Sequence, residues 1–137
     1  MSYVRGSVPS MTAIAVLDTV TLDALHPGKL ARFYSAVLDL PIIGESDDHA
    51  QLAPYLPGTP SLLFLQVPDV KSGKNRWHLD FQVDDVAAAV ARCEELGAQR
   101  VTGGPLAGPF RWQVMFDPEG NEFCLCPPGP PVGPSAG

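Results

Sequence analysis

From Trp77 to Val83 apolar and polar residues alternate, with Trp77, Leu79, Phe81 and Val83 on one side and His78, Asp80 and Gln82 on the other. A period of two marks a strand with one face in a core and the other presenting hydrogen-bonding groups. The period then changes. Asp84 or Asp85 suits an N-cap, and Val86, Val90, Cys93 and Leu96 recur at helical spacing up to Gly97, where a left-handed C-cap belongs. The stretch predicts strand, cap, a helix over 84–96 and a stop, with a His and an Asp facing the same way.

The first half carries the same order. Thr19 to Asp23 alternates, Leu25-His26-Pro27-Gly28 breaks the pattern, and residues 28–38 read as a helix with Pro27 suited to its first turn. Strand-like runs separated by turn residues follow at 41–44, 49–53 and 61–67. Their counterparts in the second half lie at 99–102, 110–116 and 122–126. Each half therefore reads β-α-β-β-β, an internal duplication that decides the fold class. The expectation is a mixed α+β domain over 14–126, with one module over about 16–68 and the other over about 76–126. Residues 1–13 lack periodicity and read as a flexible segment. Residues 127–137, rich in Pro and Gly, read as a disordered tail.

Composition narrows the function classes. The net charge is −6 with no Lys/Arg cluster, which argues against nucleic acid and anionic membrane surfaces as partners. No apolar run approaches the roughly 20 residues of a membrane span, and no signal peptide is evident, so the cytoplasm is the expected compartment. Three cysteines do not make a disulfide framework. Cys93 falls on the apolar helix stripe. Cys124 and Cys126, two apart in one strand, would sit roughly 6.5–7 Å apart, an awkward span for a bridge. All three are expected as free thiols.

Asp117-Pro118-Glu119-Gly120-Asn121 is the sharpest local signal. Asp accepts from following N–H groups, Pro fixes φ, and Gly and Asn tolerate positive φ, so a tight turn is expected before the last strand. That turn, the His78-Leu79-Asp80 strand opening a helix that ends in Leu96-Gly97, and the Phe33-Tyr34 helix together resemble the vicinal oxygen chelate superfamily. This group contains glyoxalase I, bleomycin-resistance proteins and extradiol dioxygenases, and the compact bacterial glyoxalase-like proteins are the nearest in pattern. The resemblance implies two βαβββ modules forming a half-open curved β-barrel, helices outside and a small-molecule cavity inside, commonly in a homodimer.

In the metal enzymes of that superfamily, four ligands come from strands of both modules. Carried over residue by residue, His78 stands at the second module's first-strand position. The first module offers Thr19, with Thr21 next on the same face, and neither hydroxyl is an ordinary transition-metal ligand. The usual last-strand Glu falls on Cys124, with Glu122 nearer the turn. The first module's last-strand position falls within 64–66. The resemblance thus brings over one matching ligand, His78, with Cys124 as a substitute donor for Zn, Ni, Mn or Fe.

The remaining candidates follow from the strand faces. His78 reads either as a metal ligand or general base, or as a hydrogen-bonded cavity residue. Asp80 and Asp23 read either as cavity carboxylates or as partners of Arg32, Arg76 or Arg111. Trp112, Trp77, Phe64, Phe110 and Tyr55 are candidate walls for a flat aromatic ligand, Trp112 and Phe110 the better of them, with Thr19, Thr21, Asp23, Gln66 and Glu122 as polar contacts. Trp77 belongs with Leu79 and Phe81 under the helix, and His26 and His49 belong to solvated loops. The 103–109 loop either covers the pocket or spans a gap. The expected function is binding of a small hydrophobic or aromatic metabolite or drug without the full metal set. The alternative is a divergent lyase, isomerase or dioxygenase, metal-dependent or using His78 and Asp80 as acid and base.

Overall fold

A computed structural model describes residues 13–102 and 112–128. The element order is β1 (Thr19–Ala24), α1 (Pro27–Leu38), β2 (Ile42–Glu45), β3 (His49–Leu52), β4 (Ser61–Gln66), then β5 (Leu79–Gln82), α2 (Val86–Glu95), β6 (Gln99–Arg100), β7 (Gln113–Phe116) and β8 (Glu122–Cys126). The duplication read from sequence is present. The chain divides into two compact units at Val70 and Lys71, each carrying one four-stranded sheet, ordered β1-β4-β3-β2 and β5-β8-β7-β6. In each, the strand before the helix pairs in parallel with the last strand of its unit, and the other pairings are antiparallel.

In the first unit α1 starts with Pro27 at its first position and packs Leu30, Ala31, Phe33 and Tyr34 against the sheet. The side chains at this spacing form one helix stripe. The chain leaves α1 through Asp39, whose φ of 54° is left-handed and whose N–H donates to the Ser35 carbonyl. Asp is among the few non-glycine residues that adopt this geometry readily. Ala24, Ala50, Leu52 and Phe64 complete the core from the strands.

In the second unit Asp85 caps α2, its carboxylate accepting from Ala88 N at 3.1 Å. Gly97 takes φ +110°, which lets the chain turn back directly after the helix. Val90 and Cys93 from α2 are buried, as are Ala98, Met115, Phe123 and Leu125. The 117–121 turn forms as expected. Asp117 Oδ1 accepts from Glu119 N at 2.8 Å and Asn121 N at 3.0 Å, and Gly120 supplies φ +88°.

Two sequence expectations are corrected. Trp77 is 89% exposed and does not lie under the helix. The β5–β8 ladder begins at Leu79 opposite Phe123, so Trp77 precedes the sheet and meets no strand partner. His49 is not in a loop: it opens β3 and is half-buried. Residues 1–12 of the expected flexible segment, the 103–109 loop, Phe110 and residues 129–137 of the tail lie outside the described residues. Cys93, Cys124 and Cys126 are free thiols. No helix among the described residues is long and apolar enough to cross a membrane.

Candidate functional site

Strand register decides which side chains share a face. In the second unit, Leu79 and Phe81 pair with Phe123 and Leu125 on the buried side, while Asp80 and Gln82 pair with Cys124 and Cys126 on the other. His78 directly precedes β5, two residues from Asp80. The result is a cluster: one donor atom each from His78, Asp80 and Cys124 lies within 4.8 Å of the others. His78 Nε2 is 3.3 Å from Asp80 Oδ1. His78 and Asp80 are exposed, whereas Cys124 is only 5% exposed between the fully buried Phe123 and Leu125.

Burial pushes the Cys124 thiol up to about 12, and the neighbouring Asp80 carboxylate adds to this by its charge and by accepting the thiol hydrogen bond. The physical cause is common to both effects: a thiolate here would lose solvation and face a like charge. Burial, then Asp80, also raises Cys126. At neutral pH both thiols are protonated.

The donor set fits a divalent ion. Metal bonds of about 2.0–2.3 Å place tetrahedral ligand atoms roughly 3–4 Å apart, and the three donor atoms lie within 4.8 Å of one another. His78, Asp80 and Cys124 are the residues that would hold such an ion.

The other sequence candidates are distributed as follows. Glu122 shares the Cys124 face of β8 and is engaged by Lys74, Nζ to Oε2 2.5 Å. Trp112 is half-buried immediately before β7. Asp80 meets His78 and Cys124; Arg32, one of its expected partners, pairs with Glu45 at 3.0 Å instead.

In the first unit Thr19, Thr21 and Asp23 share the open sheet face with Leu63 and Leu65 through the β1–β4 register. Thr19 Oγ1 donates to Asp18 Oδ2 at 2.8 Å. Phe64 and Gln66 are on the opposite, helix-side face. Phe64 is fully buried, its ring stacked on Tyr34 with centroids 5.7 Å apart, so it serves the core rather than a cavity wall. The sequence left the parity of β4 open. A continuous apolar run, Leu62 to Leu65, carries no alternation from which to read it.

Two features were not anticipated. A cleft of about 460 Å3 lies at one end of the first sheet, lined by Leu17, Asp18, Gln51, Pro54, Thr59 and Ser61 among others. Gln51 Nε2 donates to Ser61 Oγ at 3.1 Å there. Also, His49 Nδ1 lies 2.9 Å from Asp48 Oδ1 and 2.8 Å from Ser46 Oγ. The Ser46 hydroxyl first, then His49, holds the Asp48 carboxyl below its ordinary value. Proximity in sequence (46, 48, 49) was the available signal for this group.

Two successive βαβββ units, each an open four-stranded sheet with one parallel pair and one helix, define the vicinal oxygen chelate class. More particularly, residues 19–126 match the family described as Glyoxalase-like domain, and the chain belongs to that family. Among solved structures, a glyoxalase/bleomycin resistance protein/dioxygenase family enzyme from Burkholderia phytofirmans PsJN is similar. It has TM-score 0.67 and 22% identity over 82% of this chain and 98% of that one. The fosfomycin resistance protein FosX from Mesorhizobium loti has TM-score 0.65 and 18% identity, over 85% and 95% of the two chains. FosX from Listeria monocytogenes has TM-score 0.67 and 19% identity, over 85% and 94%. At these identities the likeness concerns the fold. No curated protein matches the chain significantly.

Proposed function

We propose that this protein binds a small hydrophobic or aromatic molecule bearing an oxygen-rich group, and that the polar group docks on His78, Asp80 and Cys124. The carrying observation is the convergence of their three donor atoms within 4.8 Å on a sheet face. The exposed His78 and Asp80, of different chemistry and close together over the buried Cys124, give one ligand both a donor and an acceptor to meet. The half-buried Trp112 supplies an aromatic surface in the same unit. The relatives suggest fosfomycin and bleomycin as first probes, with a catechol as the flat aromatic one.

Calorimetric titration of the full chain with these three compounds tests the reading. One saturable site is expected, weakened at least tenfold by His78→Ala and weakened by Trp112→Leu. Binding of none of them, or binding indifferent to both substitutions, would argue against it.

A second reading, catalysis, has one observation in its favour: the 3.3 Å His78 Nε2–Asp80 Oδ1 approach. A carboxylate at that distance orients an imidazole and supports it as a general base. A divalent metal (Zn, Ni, Mn or Fe) belongs to this reading and would supply polarisation of substrate oxygens. Turnover that survives chelation would assign the work to His78 and Asp80 alone. A homodimer is part of the proposal, by analogy with the family. Sedimentation at several concentrations checks it.

A further inference from the structure

We propose that the cleft at the end of the first sheet is a second binding site, for a small hydroxylated amine of the amino-sugar or aminocyclitol class. The site is built from the first βαβββ unit alone and shares no residue with His78, Asp80 and Cys124. It is walled by the loop joining β3 to β4, and the Thr21 and Asp23 strand positions are not part of its lining.

Shape is the first support. The cleft holds about 460 Å3. Small-molecule pockets commonly span about 300–1,000 Å3. Pro54, Pro57, Gly58 and Thr59 form its wall. Leu56-Pro57-Gly58-Thr59 has the pattern of a type II turn, with Pro second and Gly58 third at φ +91°. Thr59 N donates to the Leu56 carbonyl at 3.0 Å, closing the turn. Thr59 Oγ1 accepts from Leu56 N at 2.9 Å and donates to the Leu56 carbonyl at 2.7 Å, bracing it a second time. A wall whose polar groups already bond to one another is preformed, so a ligand does not have to order it.

The polar floor is the second support. Ser61 N donates to the Asp18 carbonyl at 3.2 Å, which ties the residues before β1 to the start of β4. Thr19 Oγ1 holds Asp18 Oδ2 at 2.8 Å, and Gln51 Nε2 holds Ser61 Oγ at 3.1 Å. Each bond fixes a side chain and leaves part of its capacity unused. Among the described residues Asp18 Oδ1, Gln51 Oε1 and the Ser61 hydroxyl hydrogen meet no partner. An amino group answers the two oxygens, and a ligand hydroxyl accepts from Ser61.

Charge and surface narrow the class further. Asp18 is the acidic side chain of the cleft, and no Lys, Arg or His lines it among the described residues. Electrostatic complementarity therefore favours a cation over an anion. The apolar lining comes from Leu17, Pro54 and Pro57, with no aromatic ring among the described residues. A saturated carbon ring bearing amines and hydroxyls meets that lining better than a flat aromatic ligand does.

The test titrates the 15N-labelled full chain with 2-deoxystreptamine, an aminocyclitol, and follows amide chemical shifts. Saturable shifts are expected at Asp18, Thr59, Ser61 and the Gln51 side-chain amide, and myo-inositol, the neutral polyol, should produce them at least tenfold more weakly. Asp18→Asn should weaken binding at least tenfold, and Gln51→Ala and Ser61→Ala several-fold. Asp47→Asn removes one charge from the exposed β2–β3 turn and should change nothing. The spectrum itself identifies a variant that fails to fold. Asp18→Asn, a near-isosteric change at an exposed position, keeps the test decisive in that event. Absence of saturable shifts, shifts confined to the second unit, equal binding of myo-inositol, or unweakened binding by Asp18→Asn overturns the inference. Titration of the same sample with fosfomycin, bleomycin or a catechol is read at residues around His78. Failure at the cleft therefore leaves the reading of that cluster standing, and failure there leaves this one standing.

Discussion

Asp80 and Cys124 are register partners across the parallel strands β5 and β8, and the Asp80 charge adds to the burial that raises the Cys124 thiol. Burial is the larger cause of the raised thiol and the neighbouring charge the smaller, and the pair ties an exposed carboxyl to a buried sulfur. It thereby couples the chemistry of the cluster to the stability of the sheet.

Reactivity should report this coupling. In metal-free protein Cys124 should be alkylated by iodoacetamide far more slowly than an unfolded cysteine at about pH 8, because only the thiolate attacks. Asp80→Asn removes the charge that raises the thiol, so alkylation of Cys124 should accelerate, with a smaller gain at Cys126. Peptide mass spectrometry of timed samples resolves the sites. Equal rates in both proteins would show that burial alone protects Cys124.

The same thiol sets a pH dependence. Its folded value of about 12 lies above the ordinary 9.0, so its contribution is fully present below about pH 9 and is lost as pH rises toward 12. Burial raises Cys93 in the same direction. Urea midpoints measured in metal-free protein at about pH 7 and about pH 10 should fall with pH. The fall should be smaller in Cys124→Ala, where this titration is absent.

The parity of β4 has an energetic consequence. Phe64 is fully buried on Tyr34, so Phe64→Ala should cost about 3–5 kcal/mol in chemical unfolding. Leu65, the next residue, is 40% exposed on the other face, and Leu65→Ala should cost roughly 1 kcal/mol or less. Comparable losses would contradict the observed register.

The Asp117 turn positions β8 and hence Cys124. Asp117 is 3% exposed and accepts from two backbone N–H groups and the Asn121 side chain. Asp117→Ala leaves those donors without this acceptor, and a loss of about 1–3 kcal/mol is expected in equilibrium unfolding. Asp117→Asn should lose less, since its remaining oxygen still accepts.

How much of this was legible beforehand varied by element. Both helices, a cap at Asp84 or Asp85, the Gly97 stop and the 117–121 turn are local events, written in residues that touch their neighbours along the chain. The duplicated βαβββ order followed from the spacing of these signals. Trp77 misled because alternation cannot say where a partner strand ends. Phe64 misled because four consecutive apolar residues, Leu62 to Leu65, have no readable period.

The sequence by itself determined the element order, the repeat, the tight turn and the presence of His78 and Asp80 on one strand face. Each depends on dihedral preferences and side-chain periodicity over a few residues. Only the tertiary structure decided that Asp80 sits opposite Cys124, that β4 turns Phe64 inward, and that Trp77 stands in solvent. These depend on strand register between segments some forty residues apart, and a shift of one residue there exchanges the two faces of a strand. Local sequence does not encode that choice; the burial of Phe123, Leu125 and Phe64 against their own helices and strands selects it.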